Sequence, residues 1–327
     1  MLTSYRSRVR VGDPINYRNL AVFPLYAEEL QAADYRLSDE ALADQQVLVR
    51  EVGQEGSVPD LVVENRTNVP VLFLEGEELV GAKQNRVLNA SVLVPALSEL
   101  KVPVSCVEQG RWRYSKESFD SSQSMCSSQL RHKLKASVSA SLKMRRGHRA
   151  DQHAVWQEVA RQQHALGAAS QTLAMSDTFI FNKSQIDEYQ DKLNYPEGAV
   201  GLAVALGARV LSFDLFDQPA TCRKVWGRLL SGYVLDALED NVSGAGASRA
   251  AVEIYLNGAL DADWQASPSV GVGQELRTEI GSRHGSALCW QGRAIHISVV
   301  GPETPLSART ETEMHSPELP SKPQPSD

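Results

Sequence analysis

The sequence predicts an α+β protein with a β-rich, sandwich-like N-terminal part, a helical middle and a mixed C-terminal part that ends in a β-hairpin. The first third is a series of short apolar or β-branched runs broken by Gly, Pro and Asn. The middle carries apolar residues at helical spacing. Strand-like runs return after Tyr195-Pro196, and the order β-rich, helical, mixed lacks the regular alternation of a βαβ chain.

Taken in order, strands are expected over 19–27, 45–52, 60–65, 70–76, 86–94 and 101–108. Between the first two, Glu28–Leu37 and Asp39–Gln46 read as short helices. Leu130, Leu134, Val138 and Leu142 recur every four residues and predict a helix over 129–143. A second helix over 151–167 has Asp151 placed as N-cap and Gly167 just past its end. The run 198–216 reads as strand, and a helix follows over 221–239. QELRTEI, SALCW and RAIHISVV are again strands, the last two joined across Gln291-Gly292 as a hairpin. Residues 1–301 are expected to form one domain: 1–120 β-rich, 121–195 helical and 196–301 mixed. Residues 302–327 hold six of the fifteen prolines and read as a disordered tail.

A hydrophobic share of 42% with 22% charged residues is that of a soluble globular chain with a sizeable core. The net charge of −7 excludes nucleic-acid binding driven by bulk charge. Cys106, Cys126, Cys222 and Cys289 form no CxxC pair, which argues against a zinc ribbon or a disulfide scaffold and fits a reducing compartment. The N-terminal MLTSYRSRVRVGDP lacks an apolar h-region, and no run approaches 18 apolar residues. Neither a signal peptide nor a membrane span is expected, and the cytoplasm is the default location.

Two polar clusters stand out. GEELVGAKQNRVLN (76–89) places Glu77, Glu78, Lys83, Gln84, Asn85, Arg86 and Asn89 between apolar runs. Gln and Asn are poor guards of an exposed sheet edge, and amides beside Arg suit the reading of a specific ligand. Gly76 and Gly81 bracket the two glutamates, as bending backbone to present paired carboxylates would require. The second cluster is PVSCVEQGRW (103–112). Here Glu108, Arg111 and Trp112 bring together a carboxylate, a guanidinium suited to phosphate and an indole that can stack on a base. Cys106 alternates with valines and reads as core.

Weaker signals lie elsewhere. From 121 to 150 there is no acidic residue, yet Arg131, Lys133, Lys135, Lys143, Arg145, Arg146 and Arg149 are present with His132 and His148. That run reads either as a solvated helix face or as a phosphate-attracting wall. Nucleic acid is the less favoured partner of the 131–149 stretch. Asp214 and Asp217 suit a metal or a plain turn, and His296 alternates away from Ile295 and Ile297, as a structural strand histidine would.

The long motif running from GEELVGAKQNRVLN to PVSCVEQGRW resembles the ARG and rhodanese-phosphatase-superfamily-associated domain family. REVGQEGSVPDLVVEN, DQHAVWQEV, GAVGLAV and DLFD match as well, so the likeness spans most of 15–300. It implies a prokaryotic protein whose context, with ADP-ribosylglycohydrolases and rhodanese-like phosphatases, is ADP-ribose or NAD metabolism. It brings no established reaction and no cofactor. Lys83, Gln84, Asn85, Arg86 and Asn89 match the family's central motif; Cys106, Glu108, Arg111 and Trp112 match its second. The expectation is an intracellular protein that binds an ADP-ribose-like or nucleotide ligand, with Glu77 and Glu108 as acid and base if it also hydrolyses it. In that reading Lys83, Gln84, Asn85, Arg86, Asn89, Arg111 and Trp112 hold the ligand, and no residue is assigned to a metal. The alternative is a non-enzymatic ligand-sensing or protein-interaction module, and a third reading makes the polar cluster a buried hydrogen-bond network that holds the β-rich part together.

Overall fold

The computed structural model describes residues 2–28, 32–53, 55–240 and 246–301. After a 3-10 turn at Leu2–Tyr5 come β1 (Val9–Val11), β2 (Ile15–Tyr17), β3 (Leu20–Ala27), β4 (Arg36–Leu37), α1 (Ser38–Ala43), β5 (Val47–Glu51) and β6 (Asp60–Asn65). They are followed by β7 (Val71–Phe73), β8 (Glu77–Gly81), β9 (Arg86–Leu88), β10 (Val92–Val94), β11 (Ser98–Cys106) and β12 (Phe119–Met125). Four helices come next: α2 (Ser128–Lys143), α3 (Gln152–Ala165), α4 (Met175–Phe181) and α5 (Lys183–Lys192). The chain then forms β13 (Gly201–Leu206), β14 (Arg209–Phe216), α6 (Pro219–Glu239) and α7 (Arg249–Leu260). It ends in β15 (Gln265–Ser267), β16 (Gln274–Ile280), β17 (Arg283–Trp290) and β18 (Arg293–Val300).

The fold is α+β, with the β-rich first part closed into a barrel in the strand order β11-β6-β5-β12-β8-β9. Every pairing around it is antiparallel. Alternation sends Val47, Val49, Leu61, Val63, Leu79, Leu88, Val102 and Val104 inward, where they form one apolar core. The small sheet β10-β7-β4 adds Val71, Phe73, Val92 and Val94 to that core. The seam between β12 and β5 is the thinnest, with the single residue pair Phe119↔Val49.

The remaining strands make a larger antiparallel sheet in the order β1-β3-β13-β14-β18-β17-β16-β15, with β2 added beside β3. Its strands are apolar on both faces. Phe23, Ala203, Phe213 and Ile297 face α7 on one side, while Val22, Leu202, Val204 and Phe216 face the helices α2, α3, α5 and α6 on the other. The C-terminal hairpin β17–β18 turns at Gln291 (φ 51°) and Gly292 (φ 78°), both in the left-handed region that a two-residue turn requires. Local signals fix the helix starts. The Ser127 and Asp151 side chains accept backbone N–H bonds at α2 and α3, and Pro219 opens α6.

Some expectations are corrected. The helix at Glu28–Leu37 is not formed in its described part: 32–35 are irregular and Arg36–Leu37 pair with β7 as a strand. The run 86–94 is two strands in different sheets, because Asn89 turns out of the ladder and bonds the Ser105 hydroxyl and the His148 carbonyl. The run 198–216 is a hairpin that bends at Gly207 (φ 52°). The segment expected to be helical from 121 begins as β12, whose sequence FDSSQSM has no apolar alternation and is held by pairing with β8. The expected tail at 302–327 lies outside the described residues.

The face of α2 turned to the large sheet carries two cations. Arg131 is 1% exposed, and its Nη2 and Nη1 donate to Asp214 Oδ1 and Oδ2 at 2.6 and 3.0 Å. The same guanidinium donates to Tyr233 Oη on α6 and Ser298 Oγ on β18. Lys135, one turn on, donates to Glu75 Oε2 at 3.0 Å and to Ser286 Oγ on β17. Burial alone would raise the Asp214 pKa, but Arg131 and His296 hold it well below the usual carboxylate range. α2 thus ties the barrel turn at Glu75 to strands β14, β17 and β18. Removing one member of such a pair leaves a buried charge uncompensated, at a cost of about 3–5 kcal/mol. Asp214→Ala should therefore lower the urea midpoint by that much in stability, and Asp214→Leu with Arg131→Met should recover most of it.

Candidate functional site

Inside the barrel, β9, β11 and β5 share one inward parity: Arg86 with Leu88, Cys106 with Val104, and Glu51 with Val49. Cys106 pairs directly with Arg86 across the ladder, so the two lie side by side. At this end the apolar core gives way to Glu51, Arg86 and Cys106, closed over by Gln84 from the turn between β8 and β9. Arg86 is 0% exposed. Its Nη1 donates to Gln84 Oε1 at 2.9 Å, and the Cys106 thiol donates to the same oxygen at 2.9 Å. Glu51 Oε1 lies 3.6 Å from Arg86 Nη2. Arg86 Nε and Nη2 and Glu51 Oε2 have no hydrogen-bond partner.

Aromatic rings cover this mouth. The Arg86 guanidinium sits 5.6 Å from the Trp112 ring centroid, and Lys83 Nζ is 5.4 Å from Trp112 and 5.1 Å from Tyr114. Trp112 and Tyr114 are each 49% exposed. Lys83 also donates to the Glu55 carbonyl at 2.7 Å. Beside them opens a cleft of about 550 Å³ lined by Arg50, Glu51, Gly53, Tyr114 and Glu117. Burial pushes the Cys106 thiol up to about 11, and Arg86 only partly offsets this, so Cys106 is a neutral thiol and a poor nucleophile at physiological pH.

The other sequence candidates form separate arrangements. Glu108 accepts from Arg111 Nε (2.8 Å), the Thr172 hydroxyl (2.8 Å) and the Asn85 backbone N–H (3.0 Å). Burial opposes its ionisation, but these donors outweigh it and hold its pKa below the ordinary range. Arg111 further donates to the carbonyls of Gly81, Ala82 and Arg113, and its Nη2 meets Asn85 Oδ1 at 3.1 Å. Arg111, Glu108 and Asn85 thus clamp the β8–β9 turn onto the chain leaving β11. Gly81 (φ 134°) is required there, because a Cβ would lie 2.5 Å from the Ser118 carbonyl oxygen. Asn89 is buried between Ser105 and His148.

Adjacent strand residues point to opposite faces, so Glu77 and Glu78 diverge. Glu77 accepts from Ser38 Oγ (2.7 Å) and Arg228 Nη1 (2.9 Å), with its pKa raised by burial and lowered in part by Arg228. Glu78 is 1% exposed and neither oxygen makes a well-formed hydrogen bond. The Ser122 side chain and the Ser176 N–H lie near enough only to soften the burial that pushes its pKa up to about 8. Of the basic run, Arg131 and Lys135 are interior, Lys133 and Lys143 pair with Glu158 and Glu279, and His148 meets Glu275 at 2.6 Å. Arg145, Arg146 and Arg149 are exposed.

The structure therefore brings Lys83, Gln84, Arg86 and Trp112 together and gathers Asn85, Glu108 and Arg111 into the neighbouring clamp. Glu77 and Asn89 each lie in other networks. Sequence reasoning missed Glu51 and Tyr114. For Glu51 a signal existed, since Val47-Leu-Val-Arg-Glu51 alternates and its last inward position is the carboxylate. Among the described residues, no group of three or more His, Cys, Asp or Glu is placed to hold a metal ion. No described helix is long and apolar enough to cross a membrane.

Fold and site together define an α+β protein built on a closed antiparallel barrel, whose mouth holds an arginine–glutamate pair beneath exposed aromatic rings. The model of the ARG and Rhodanese-Phosphatase-superfamily-associated Protein domain matches residues 8–300, and the chain belongs to that family. No curated protein and no solved structure matches the chain.

The state of Glu78 has a pH signature. Its folded pKa lies near 8 against an ordinary 4.5, so between those values the unfolded chain is ionised while the folded one keeps the proton. Stability should fall with rising pH across that window, by about 1.4 kcal/mol per pH unit from this group alone. Glu78→Gln should flatten the slope, matching the parent near pH 5 and melting higher near pH 8. Parallel melting curves for the two proteins from pH 5 to pH 8 would contradict the assignment.

Proposed function

We propose that the barrel mouth binds an ADP-ribose-like or nucleotide ligand, with the anionic group drawn to Arg86 and Lys83 and the ring stacked on Trp112. The observation that carries this reading is Arg86. A buried guanidinium with two N–H-bearing atoms lacking acceptors is costly unless something supplies them, and phosphate oxygens match its geometry. Trp112 and Tyr114, half exposed beside the cleft, offer the apolar faces a base requires. The family's name ties it to ARG and rhodanese-phosphatase-superfamily proteins, and the ADP-ribose context that the sequence resemblance implies points in the same direction.

The reading is of binding without hydrolysis. Both oxygens of Glu108 are engaged by Arg111, Thr172 and Asn85, and those of Glu77 by Ser38 and Arg228, so neither carboxylate is poised to exchange a proton with a ligand. ADP-ribose, NAD and AMP at millimolar concentration should raise the melting temperature and compete with one another. Trp112→Ala removes a stack worth about 1–3 kcal/mol and should weaken binding about 5- to 150-fold with little effect on the unliganded melting point. If none of the three ligands shifts the melting curve, the proposal is wrong.

A further inference from the structure

A second constellation lies beyond the far end of β9 from Arg86, between the barrel and the large sheet. Ser91, in the link from β9 to β10, has its Oγ 3.0 Å from His296 Nδ1. His296 Nε2 is 3.0 Å from Asp214 Oδ1. The imidazole stacks flat on Phe216, with centroids 4.8 Å apart and planes 9° apart, which fixes the ring. Ser91 keeps part of its surface exposed, whereas His296 and Asp214 are 2% and 0% exposed.

Donor and acceptor roles follow from charge. Asp214 is held ionised by the bidentate Arg131 and by the Tyr233 hydroxyl, so its oxygens only accept. His296 Nε2 must therefore carry a proton. Burial lowers the His296 pKa, with Asp214 offsetting only part, so the ring is neutral and Nδ1 keeps its lone pair. Ser91 must then donate its hydroxyl proton to Nδ1, while its oxygen accepts the Glu75 N–H at 3.1 Å. A serine aimed at a neutral imidazole whose other nitrogen rests on a carboxylate has the roles of a nucleophile, a base and a group that orients the base.

We infer that Ser91 is a nucleophilic serine, with His296 as its general base and Asp214 positioning that base, acting on small activated esters. The Ser91 oxygen forms a bond to the carbonyl carbon as its proton passes to His296 Nδ1. The bond to the leaving alkoxide breaks, and the alcohol departs with that proton. Water then adds to the acyl-serine, giving one proton to Nδ1, and the acid leaves as Ser91 regains it. Activated esters are specified because Arg131 neutralises much of Asp214, which leaves the imidazolium weakly stabilised and the base suited to good leaving groups. The partial exposure of Ser91 restricts the acyl group to a small one. This activity is independent of ligand binding at the barrel mouth.

The test is labelling of the full chain with a fluorophosphonate, from which a nucleophilic serine displaces fluoride, and mapping of the adduct by peptide mass spectrometry. The expected result is modification at Ser91 in the folded protein, absent after heat denaturation and lost in a Ser91→Ala variant that still melts cooperatively. His296→Gln should slow labelling by about 100-fold or more, the usual contribution of a general base. Should that buried substitution unfold the chain, the pH profile of the unaltered protein decides. Asp214 on β14 and Arg131 on α2 keep their charges, Lys135 faces Glu75, and Tyr233 on α6 stays protonated, so the imidazole, held below its ordinary pKa by burial, is the group among these that gains a proton as the pH falls. Labelling should fall only as the pH drops below 6.5, where His296 gains its proton. Absence of an adduct at Ser91, or labelling there indifferent to pH and to His296→Gln, overturns the inference.

Discussion

The fork between Arg131 and Asp214 is the contact on which the architecture depends. A helix that otherwise presents leucines and valines to the core also presents a guanidinium, and the interior can accept it only where a carboxylate and two hydroxyls are already fixed. Those partners come from β14, β18 and α6, so the pair sets how α2 lies across the large sheet. Lys135 repeats the arrangement one turn later with Glu75 and Ser286, and Arg228 on α6 does so with Glu77. Barrel and sheet are joined by charges that tolerate little displacement, since each displaced member would stand unpaired in a dry interior.

That economy separates the polar groups with structural work from the ones without it. The clamp of Glu108, Arg111 and Asn85 is closed: each has its partners and secures the β8–β9 turn. The barrel mouth is not closed, because Arg86 and Glu51 keep atoms without hydrogen bonds a short distance from a cleft and two half-exposed rings. An unsatisfied buried guanidinium beside a cleft and half-exposed rings is better evidence of a site than a conspicuous polar motif, much of which here serves the backbone.

The sequence revealed the α+β class because that class rests on local signals: β-branched runs, a four-residue leucine repeat, and a cap at Asp151. It was silent where tertiary pairing decides. FDSSQSM becomes a barrel strand through β8, and nothing in its pattern announces one. α7 escaped notice although Val252, Tyr255, Leu256, Ala259 and Leu260 keep a helical spacing that was there to be read. Within the candidate site, Lys83, Gln84, Arg86 and Trp112 were legible as a cluster. The alternation of 47–51 marks Glu51 as inward, but its place beside Arg86, 35 positions on, follows only from barrel closure. Asp214 and His296 were each visible, but their relation to Ser91 depends on β14 and β18 meeting the link from β9 to β10.

The β12–β5 seam, held by Phe119 and Val49 alone, gives this barrel a hinge line. Glu51 ends one side of it, and the loop bearing Trp112 and Tyr114 leads into the other. Parting these strands breaks fewer ladder bonds than parting any other neighbours in the barrel, and Glu51 at the end of that seam lies 3.6 Å from Arg86. The thinnest seam of the barrel wall thus runs beside the charge stored at its mouth.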